Sequence, residues 1–483
     1  MVFSSLLFIF LFLPLNLLAY SFAGSIKAKN IIMLIFSLIF YACGEPVYVL
    51  LLIFMTLADY LFALGIEKQE ERSVKAKLLI AGMLFVNLGL LAVFKYGSFI
   101  LSNLKILTGF PKAVPNILLP IGISFYTFQL ISYVVDVYRK EVEAQKDFFK
   151  LLLYVSLFHQ CIAGPIVRYK DVSKQIESRR VSKLETAEGI RRFTYGLAKK
   201  SVLANACSAV CEALITSDVS GKAAAAVGKE TSVLALCLGI FAYGLQIYLD
   251  FSAYSDMAIG MGKMIGFHYR ENFNYPYVSK SVSEFWRRWH ISLGSFFRDY
   301  VYIPLGGSKN GTLRTGINLF IVWFLTGLWH GASWNYVLWG LYFFVFIMLE
   351  KLFLQKLLLK NSVVAHIYLL LAVFFGWILF RFRNLSAVLN VLKGMFGAFG
   401  NKLYDFESLT IVRQYAFILI FSVLVCTPLF KKTNAVLFEK SLGNGALKTV
   451  YFILRLLLPI GLLFISVAAL AGDSYNPFIY FQF

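Results

Sequence analysis

The sequence predicts an all-helical protein that crosses a membrane many times. Of its 483 residues, 59% are hydrophobic and only 15% are charged, and the mean hydropathy is +0.72. Soluble domains carry roughly 25% charged residues. Apolar runs of roughly 20 residues, the length that spans a bilayer, recur along the chain. We count about twelve crossings, with both termini outside and the large basic loops inside.

Charge and cysteine usage fit one integral-membrane domain over residues 1–483. The 46 Lys and Arg against 26 Asp and Glu give a net charge of +20. Basic residues gather in cytoplasmic loops of membrane proteins, so this charge predicts no nucleic-acid partner. The six cysteines lack C-x-x-C spacing and predict small core residues, with no metal site. No phosphate-binding loop is present, which argues against an ATP-driven transporter.

The N-terminal half holds five apolar runs, at residues 2–23, 31–42, 47–66, 78–100 and 117–137. The first run lacks a basic leader and a cleavage signature, which predicts a retained helix. The last contains Ser124, Thr127, Gln129 and Asp136. Because such polar side chains avoid lipid, this run is expected to face a polar interior.

Residues 148–167 are apolar but broken at Gly164-Pro165, and both flanks are basic. Like-charged flanks and an internal break predict a re-entrant segment. Its His159 is interpreted first as a buried structural histidine. The basic stretch 168–200 predicts amphipathic helices at the cytoplasmic surface.

Further crossings are predicted at 203–215, 233–259, 316–329, 336–349, 366–380, 416–429 and 450–470, with 382–408 packed outside them. The run 233–259 carries Asp250 and Asp256 among serines at helical spacing, which predicts an interior face. Two roles stay open for these carboxylates: acid–base groups or partners of arginines.

The stretch from Glu284 to Tyr336 contains two histidines, His290 and His330. Six of the seven tryptophans lie in it or just beyond it. Its SEFWRRWHISLGSFFRDYVY part predicts one amphipathic helix in the membrane interface. A histidine in an apolar run is costly unless it faces a cavity or a partner, so His330 is a functional candidate. The alternative is a core histidine bonded to a backbone carbonyl.

Four segments resemble the membrane-bound O-acyltransferase (MBOAT) family. They are HQCIAGPIVRY at 159–169 and the longer stretches at 250–277, 283–307 and 314–340, which together define a core region at 159–340. The resemblance is to the bacterial branch that acetylates alginate and peptidoglycan, and more distantly to D-alanyl transfer onto teichoic acids. The runs YIPLGG and LTGLWHG favour acetylation.

The resemblance implies that His330 is the invariant catalytic histidine and that His290 occupies a second active-site position. It also implies a ring of tilted helices around a funnel or tunnel. Acetyl-CoA would be the donor substrate, with no permanently bound cofactor. The acceptor would be an extracytoplasmic polysaccharide, reached with a secreted or anchored SGNH/GDSL-type transferase. The location would be the bacterial cytoplasmic (inner) membrane.

The chemistry supports this reading. A base must remove the hydroxyl proton during acyl transfer, and histidine is the usual one. Burial should keep His330 neutral, and aromatic neighbours such as Trp329 should exclude water. Asn318 either orients the substrate or packs helices together. Arg287, Arg288 and Arg298 either attract the phosphates of CoA or only obey the charge rule for topology.

The tail at 472–483 ends in PFIYFQF. Its Phe478, Tyr480 and Phe483 resemble a C-terminal motif of cell-envelope acylation systems, which implies that Tyr480 carries the acyl group. The alternative is an aromatic anchor at the outer interface.

We therefore predict an O-acetyltransferase. The alternatives are a transporter or flippase for a lipid-linked sugar, which should show internal repeats that we do not find, or D-alanyl transfer to teichoic acid.

Overall fold

The computed structural model describes residues 1–109, 115, 117–162, 164–215, 222–472 and 478–479, with side chains for all of these except 222–225. Across these ranges the regular structure is helical, without a β-strand, which confirms the all-helical part of the predicted fold, while the funnel or tunnel stays a prediction. Eight of the described helices are long and apolar enough to cross a membrane. They are Tyr48–Glu67, Val74–Thr108, Val233–Met264, Gly311–His330, Trp334–Leu358, Ser362–Arg381, Phe406–Val425 and Gly445–Ala471.

Several other predicted crossings form shorter helices. Phe8–Phe22 is apolar but short, and Ile26–Ala42 and Ile123–Tyr138 also fall below the length of the eight. The prediction of a separate crossing at 203–215 is wrong in its boundaries. Helix Lys183–Ala198 continues through a π-helical turn, Lys199–Ala204, into Asn205–Leu214. The total of about twelve crossings therefore stays a prediction, with eight supported by length and composition.

The chain divides into two compact units, each assembled from three segments. The first comprises Met1–Phe193, Ser255–Glu271 and Ser292–Pro304, and the second comprises Thr194–Tyr254, Asn272–Ile291 and Leu305–Phe483. Helices Lys183–Ala198, Val233–Met264 and Ile291–Phe297 have residues in both.

In the first unit, helix Ile123–Tyr138 is buried along nearly its whole length. This confirms that its polar residues face an interior and not lipid. The other elements of this unit are Phe8–Phe12, Leu13–Phe22, Ile26–Ala42, Tyr48–Glu67, Val74–Leu91, Ala92–Tyr96, Gly97–Thr108, Phe148–Ser156, Tyr169–Glu177 and Arg298–Tyr302.

The predicted re-entrant segment begins with a short helix, Phe148–Ser156, capped by Asp147, whose Oδ1 accepts from the Phe149 amide at 2.9 Å. The helix ends before Gly164, earlier than the sequence suggested. The described residues that follow, 157–162 and 164–168, are buried and irregular in backbone. Irregular backbone at membrane depth requires such protein surroundings, so the burial is consistent with a re-entrant segment.

The second unit contains a helical hairpin formed by Gly311–His330 and Trp334–Leu349. Gly327 and Gly340 let the two helices touch, because a Cβ on Gly340 would overlap the carbonyl of Trp323. The other elements of this unit are Lys199–Ala204, Asn205–Leu214, Lys222–Glu230, Pro276–Val278, Val282–Arg288, Glu350–Leu354, Gln355–Leu358, Ser362–Arg381, Leu385–Met395, Phe406–Val425, Leu429–Leu442 and Gly445–Ala471.

The prediction of one continuous interface helix over 283–302 is wrong. Helix Val282–Arg288 ends at Arg288, and a second helix, Ile291–Phe297, begins three residues later. The break falls on His290, whose φ of 45° lies in the left-handed region. A non-glycine residue holds that conformation only where its surroundings fix it, which marks His290 as a constrained position.

Candidate active site

His330 is the last residue of helix Gly311–His330 and is 5% exposed. Its ring lies edge-on to Trp339 and Phe380, with centroids 4.9 and 5.1 Å away. The preceding Trp329 also meets it edge-on, at 5.0 Å. Three aromatic rings therefore surround the imidazole, and the close helix contact at Gly327 and Gly340 fixes the hairpin that carries it.

His290 is buried at the break between two short helices, 2% exposed. Its Nδ1 lies 3.2 Å from Asn272 Oδ1, and the Asn272 carbonyl accepts from the Ile291 amide at 2.9 Å. Asn272 thus contacts both the imidazole and the backbone that follows it. Burial lowers the pKa of His290 to about 3, so the ring is neutral at physiological pH. With Nδ1 donating to Asn272, Nε2 carries the lone pair.

Trp329 contacts both histidines. Its ring centroid is 5.7 Å from that of His290 and 5.0 Å from that of His330. Phe251 packs edge-on against His290 from another side, at 4.7 Å. The structure therefore brings three predicted site residues into one buried aromatic cluster, which we call the histidine cluster: His290, Trp329 and His330. Such a site suits chemistry that water would otherwise intercept.

Asn318 does not belong to the histidine cluster. It is fully buried, and its Nδ2 donates to the carbonyls of Leu305 and Gly307 at 3.2 and 2.9 Å. These bonds tie the Leu305–Gly307 turn to helix Gly311–His330. The geometry therefore supports the packing interpretation of Asn318, while substrate orientation stays a prediction.

The three predicted arginines differ in their surroundings. Arg287 is exposed. Arg288 pairs with Glu284, with Nη2 2.7 Å from Oε1, on the same short helix. Arg298 belongs to the first unit, where it pairs with Asp299 at 2.7 Å and is 64% exposed. Of these three, Arg287 is the one for which no ion pair is described, and CoA binding by the set stays a prediction.

The aspartates flagged in the sequence are ion-paired. Asp250 lies 2.7 Å from Lys200 Nζ, and Asp256 lies 2.9 Å from Arg192 Nη2. The predicted pairing with an arginine is confirmed for Asp256, whereas the partner of Asp250 is a lysine. Tyr480 lies outside the described residues, whereas Phe478 and Ile479 before it are described and buried.

His159 is buried in the first unit with Nδ1 3.2 Å from the Tyr269 hydroxyl. Burial, and secondarily Arg179, lowers its pKa to about 3. Its burial and its hydrogen bond to Tyr269 fit the structural interpretation. In the described part of the chain, no group of three His, Cys, Asp or Glu side chains could hold a metal ion.

Two contacts that position the site were not found from the sequence. Asn272 stands in the ENFNYPY run, whose polar residues gave no sign of which one meets His290. Glu350 is buried and accepts from the amides of Val282 and Ser283 at 2.5 and 2.9 Å. It thereby caps the helix that leads to His290. Glu350 was hidden because it lies more than sixty residues along the chain from the helix it caps.

Sequence comparison matches this chain to one protein family and to several related proteins. A sequence model of the MBOAT, membrane-bound O-acyltransferase family matches residues 140–389. A probable alginate O-acetylase AlgI of Pseudomonas putida is 36% identical, with all of both chains covered. The peptidoglycan O-acetyltransferase of Helicobacter pylori is 31% identical over 100% of this chain and 98% of its own. A teichoic acid D-alanyltransferase of Bacillus subtilis is 28% identical over 47% of this chain and 58% of its own.

Proposed function

The chain belongs to the membrane-bound O-acyltransferase family, and we propose that it moves acetyl groups from cytoplasmic acetyl-CoA toward hydroxyl groups of an extracytoplasmic polysaccharide. It is a multi-pass membrane O-acyltransferase. The names of its full-length relatives support acetyl as the group and alginate or peptidoglycan as the kind of acceptor. D-alanyl transfer to teichoic acid has weaker support, since that relative matches 47% of this chain. Family membership also favours acyl transfer over a transporter or flippase.

The observation that carries the proposal is the histidine cluster. Two buried imidazoles in contact with one indole, inside an aromatic shell, supply a base in a site with little water. We assign the role of base to His330 and an assisting role to His290, held by Asn272.

In the proposed reaction Tyr480 relays the acetyl group. His330 takes the phenol proton, the phenolate oxygen attacks the thioester carbonyl, and the C–S bond breaks. The CoA thiolate then takes the proton from His330. In the second step an acceptor hydroxyl attacks the tyrosyl ester, the ester C–O bond breaks, and the proton returns to the tyrosine oxygen. A phenol has a pKa near 10, below that of an aliphatic alcohol, so the tyrosyl ester retains transfer potential.

The surroundings proposed for this reaction follow from the same assignment. The protein would lie in the bacterial inner membrane, with the exposed Arg287 near the donor's phosphates. A secreted or anchored SGNH/GDSL-type transferase would complete delivery to the polymer. Asn318 and Arg298 could contact the substrate only by exchanging bonds that they already make within the protein, so we favour them less than Arg287.

The test measures transfer from labelled acetyl-CoA to a soluble acceptor polysaccharide by the purified protein in lipid nanodiscs, supplemented with the SGNH/GDSL-type transferase. His330→Ala should reduce acetyl transfer by a factor of about 100 or more, as loss of a general base does. His290→Ala should also lower it severely. The matched control is His268→Ala, which removes a half-exposed histidine paired with Glu185 and should leave the rate unchanged. Transfer at the wild-type rate by His330→Ala protein would refute the assignment.

Tyr480→Phe tests the relay separately, because it keeps the ring and removes only the hydroxyl. Transfer to the polymer should stop while CoA binding persists. Normal polymer acetylation by Tyr480→Phe would leave the tail as an aromatic anchor.

A further inference from the structure

The last described residues of the chain, Phe478 and Ile479, are buried in the second unit. They are 1% and 6% exposed. Terminal segments are usually poorly ordered unless specific contacts hold them. The contacts here are made by a lysine and an aspartate that are themselves almost inaccessible, at 4% and 1% exposure for Lys200 and Asp250.

Local structure explains how these groups meet. Asp250 and Tyr254 are four residues apart on helix Val233–Met264, so their side chains share one face. Lys200 lies in the π-helical turn Lys199–Ala204, a local widening that redirects side chains and recurs at functional sites.

The three side chains contact the tail through different atoms. The Ile479 amide donates to Asp250 Oδ2 at 2.6 Å, while Lys200 Nζ lies 2.7 Å from Asp250 Oδ1. Lys200 Nζ also lies 4.8 Å from the centre of the Phe478 ring. Tyr254 meets the same ring edge-on at 5.0 Å. One backbone amide and one ring of the tail thus complete a buried ion pair.

A buried ion pair gains little stability by itself, because removing both charges from water costs about as much as their attraction returns. Extra hydrogen bonds and a cation–π contact shift that balance. The tail supplies both. Without it, the buried carboxylate and ammonium would each lose a partner, so the pair is complementary to the tail.

The same helix links these contacts to the histidine cluster. Phe251 follows Asp250 directly, and its ring packs 4.7 Å from that of His290. Ile479 is the residue before Tyr480 in the sequence. The segment that carries the tyrosine is therefore bound to the helix that packs against His290.

We infer that Asp250, Lys200 and Tyr254 form a dock for the C-terminal segment and are positioning residues for acyl transfer. The effect of this tail dock on activity depends on the proposed relay through Tyr480. The dock itself is inferred from the contacts of Phe478 and Ile479 alone.

The dock is tested first without activity, by hydrogen–deuterium exchange of the C-terminal peptide in the full-length protein in nanodiscs. Asp250→Ala removes the acceptor of the Ile479 amide, and exchange of that peptide should accelerate by about tenfold or more. Phe478→Ala should act in the same direction while leaving the buried ion pair in place, so it covers the case in which Asp250→Ala fails to fold. The matched control is Asp256→Asn, which alters an ion-paired aspartate on the same helix and should leave tail exchange unchanged. Unchanged exchange in Phe478→Ala would overturn the dock.

Kinetics then separate the dock from the relay. Loss of the dock should lower kcat for transfer to the acceptor with little change in KM for acetyl-CoA. Lys200→Met should show this loss, and Lys200→Arg, which keeps the charge and the ring contact, should recover part of the rate. Faster tail exchange with an unchanged kcat would keep the dock and refute the relay through Tyr480. A kcat loss shared equally by Lys200→Arg and Lys200→Met, with tail exchange unchanged, would refute the dock.

Discussion

Replacing His290 with Gln should make the protein less sensitive to acid. His290 is buried, and its pKa falls from an ordinary value of about 6.5 to about 3. Between these values the unfolded chain binds a proton at this position and the folded chain does not. The free energy of unfolding therefore falls as the pH drops below about 6.5. Above that pH, His290 contributes no pH dependence to the free energy of unfolding.

The size of the effect follows from the shift. Each pH unit within the window changes the free energy of unfolding by about 1.4 kcal/mol per such histidine. Between pH 8 and pH 5 the loss from His290 is about 2 kcal/mol. His159, whose pKa is also about 3, contributes in the same direction. Because His290→Gln removes only its own share, the variant should still lose stability, by about 2 kcal/mol less than the wild type.

The assay is reversible SDS titration of the purified protein in detergent micelles at pH 8 and pH 5. The compared quantity is the difference between the two pH values within each variant, so any change that Gln causes at both pH values cancels. An equal loss in the wild type and His290→Gln would refute the claim that His290 is buried in its neutral form.

Three further predictions concern the surroundings of the histidine cluster. Asn272→Asp places a carboxylate about 3.2 Å from His290 Nδ1, which should raise the pKa of that histidine. Acetyl transfer should then decline on the acid side at a higher pH than in the wild type. An unshifted pH–rate profile would contradict the contact. Gly340→Ala should destabilise the helical hairpin by about 1–3 kcal/mol and lower acetyl transfer, because the new methyl overlaps the carbonyl oxygen of Trp323. The control is Gly461→Ala, where a Cβ meets no atom within 4 Å, and its effect on stability should be close to zero. Arg287→Gln should raise KM for acetyl-CoA more than it lowers kcat, and an unchanged KM would leave Arg287 as a topology signal only.

The sequence by itself determined the class of the protein and its central region. Apolar run length and low charge predicted the helical membrane fold, because a bilayer allows few other ways to satisfy the backbone. Polar residues in the run at 117–137 predicted an interior helix, and that helix is buried. His330 was singled out by its apolar context with Trp329 beside it, and His290 by the resemblance to the family; the structure brings the three into one cluster.

Only the tertiary structure decided how that cluster is held. The break at His290 was hidden because the flanking residues have a continuous helical pattern, and the left-handed backbone there depends on bonds made by Asn272. Glu350 and Lys200 were hidden for a different reason. Each acts on residues far away along the chain, where helical periodicity carries no information. The same holds for Asn318, whose amide binds the backbone of the preceding turn, a contact that its sequence position does not reveal.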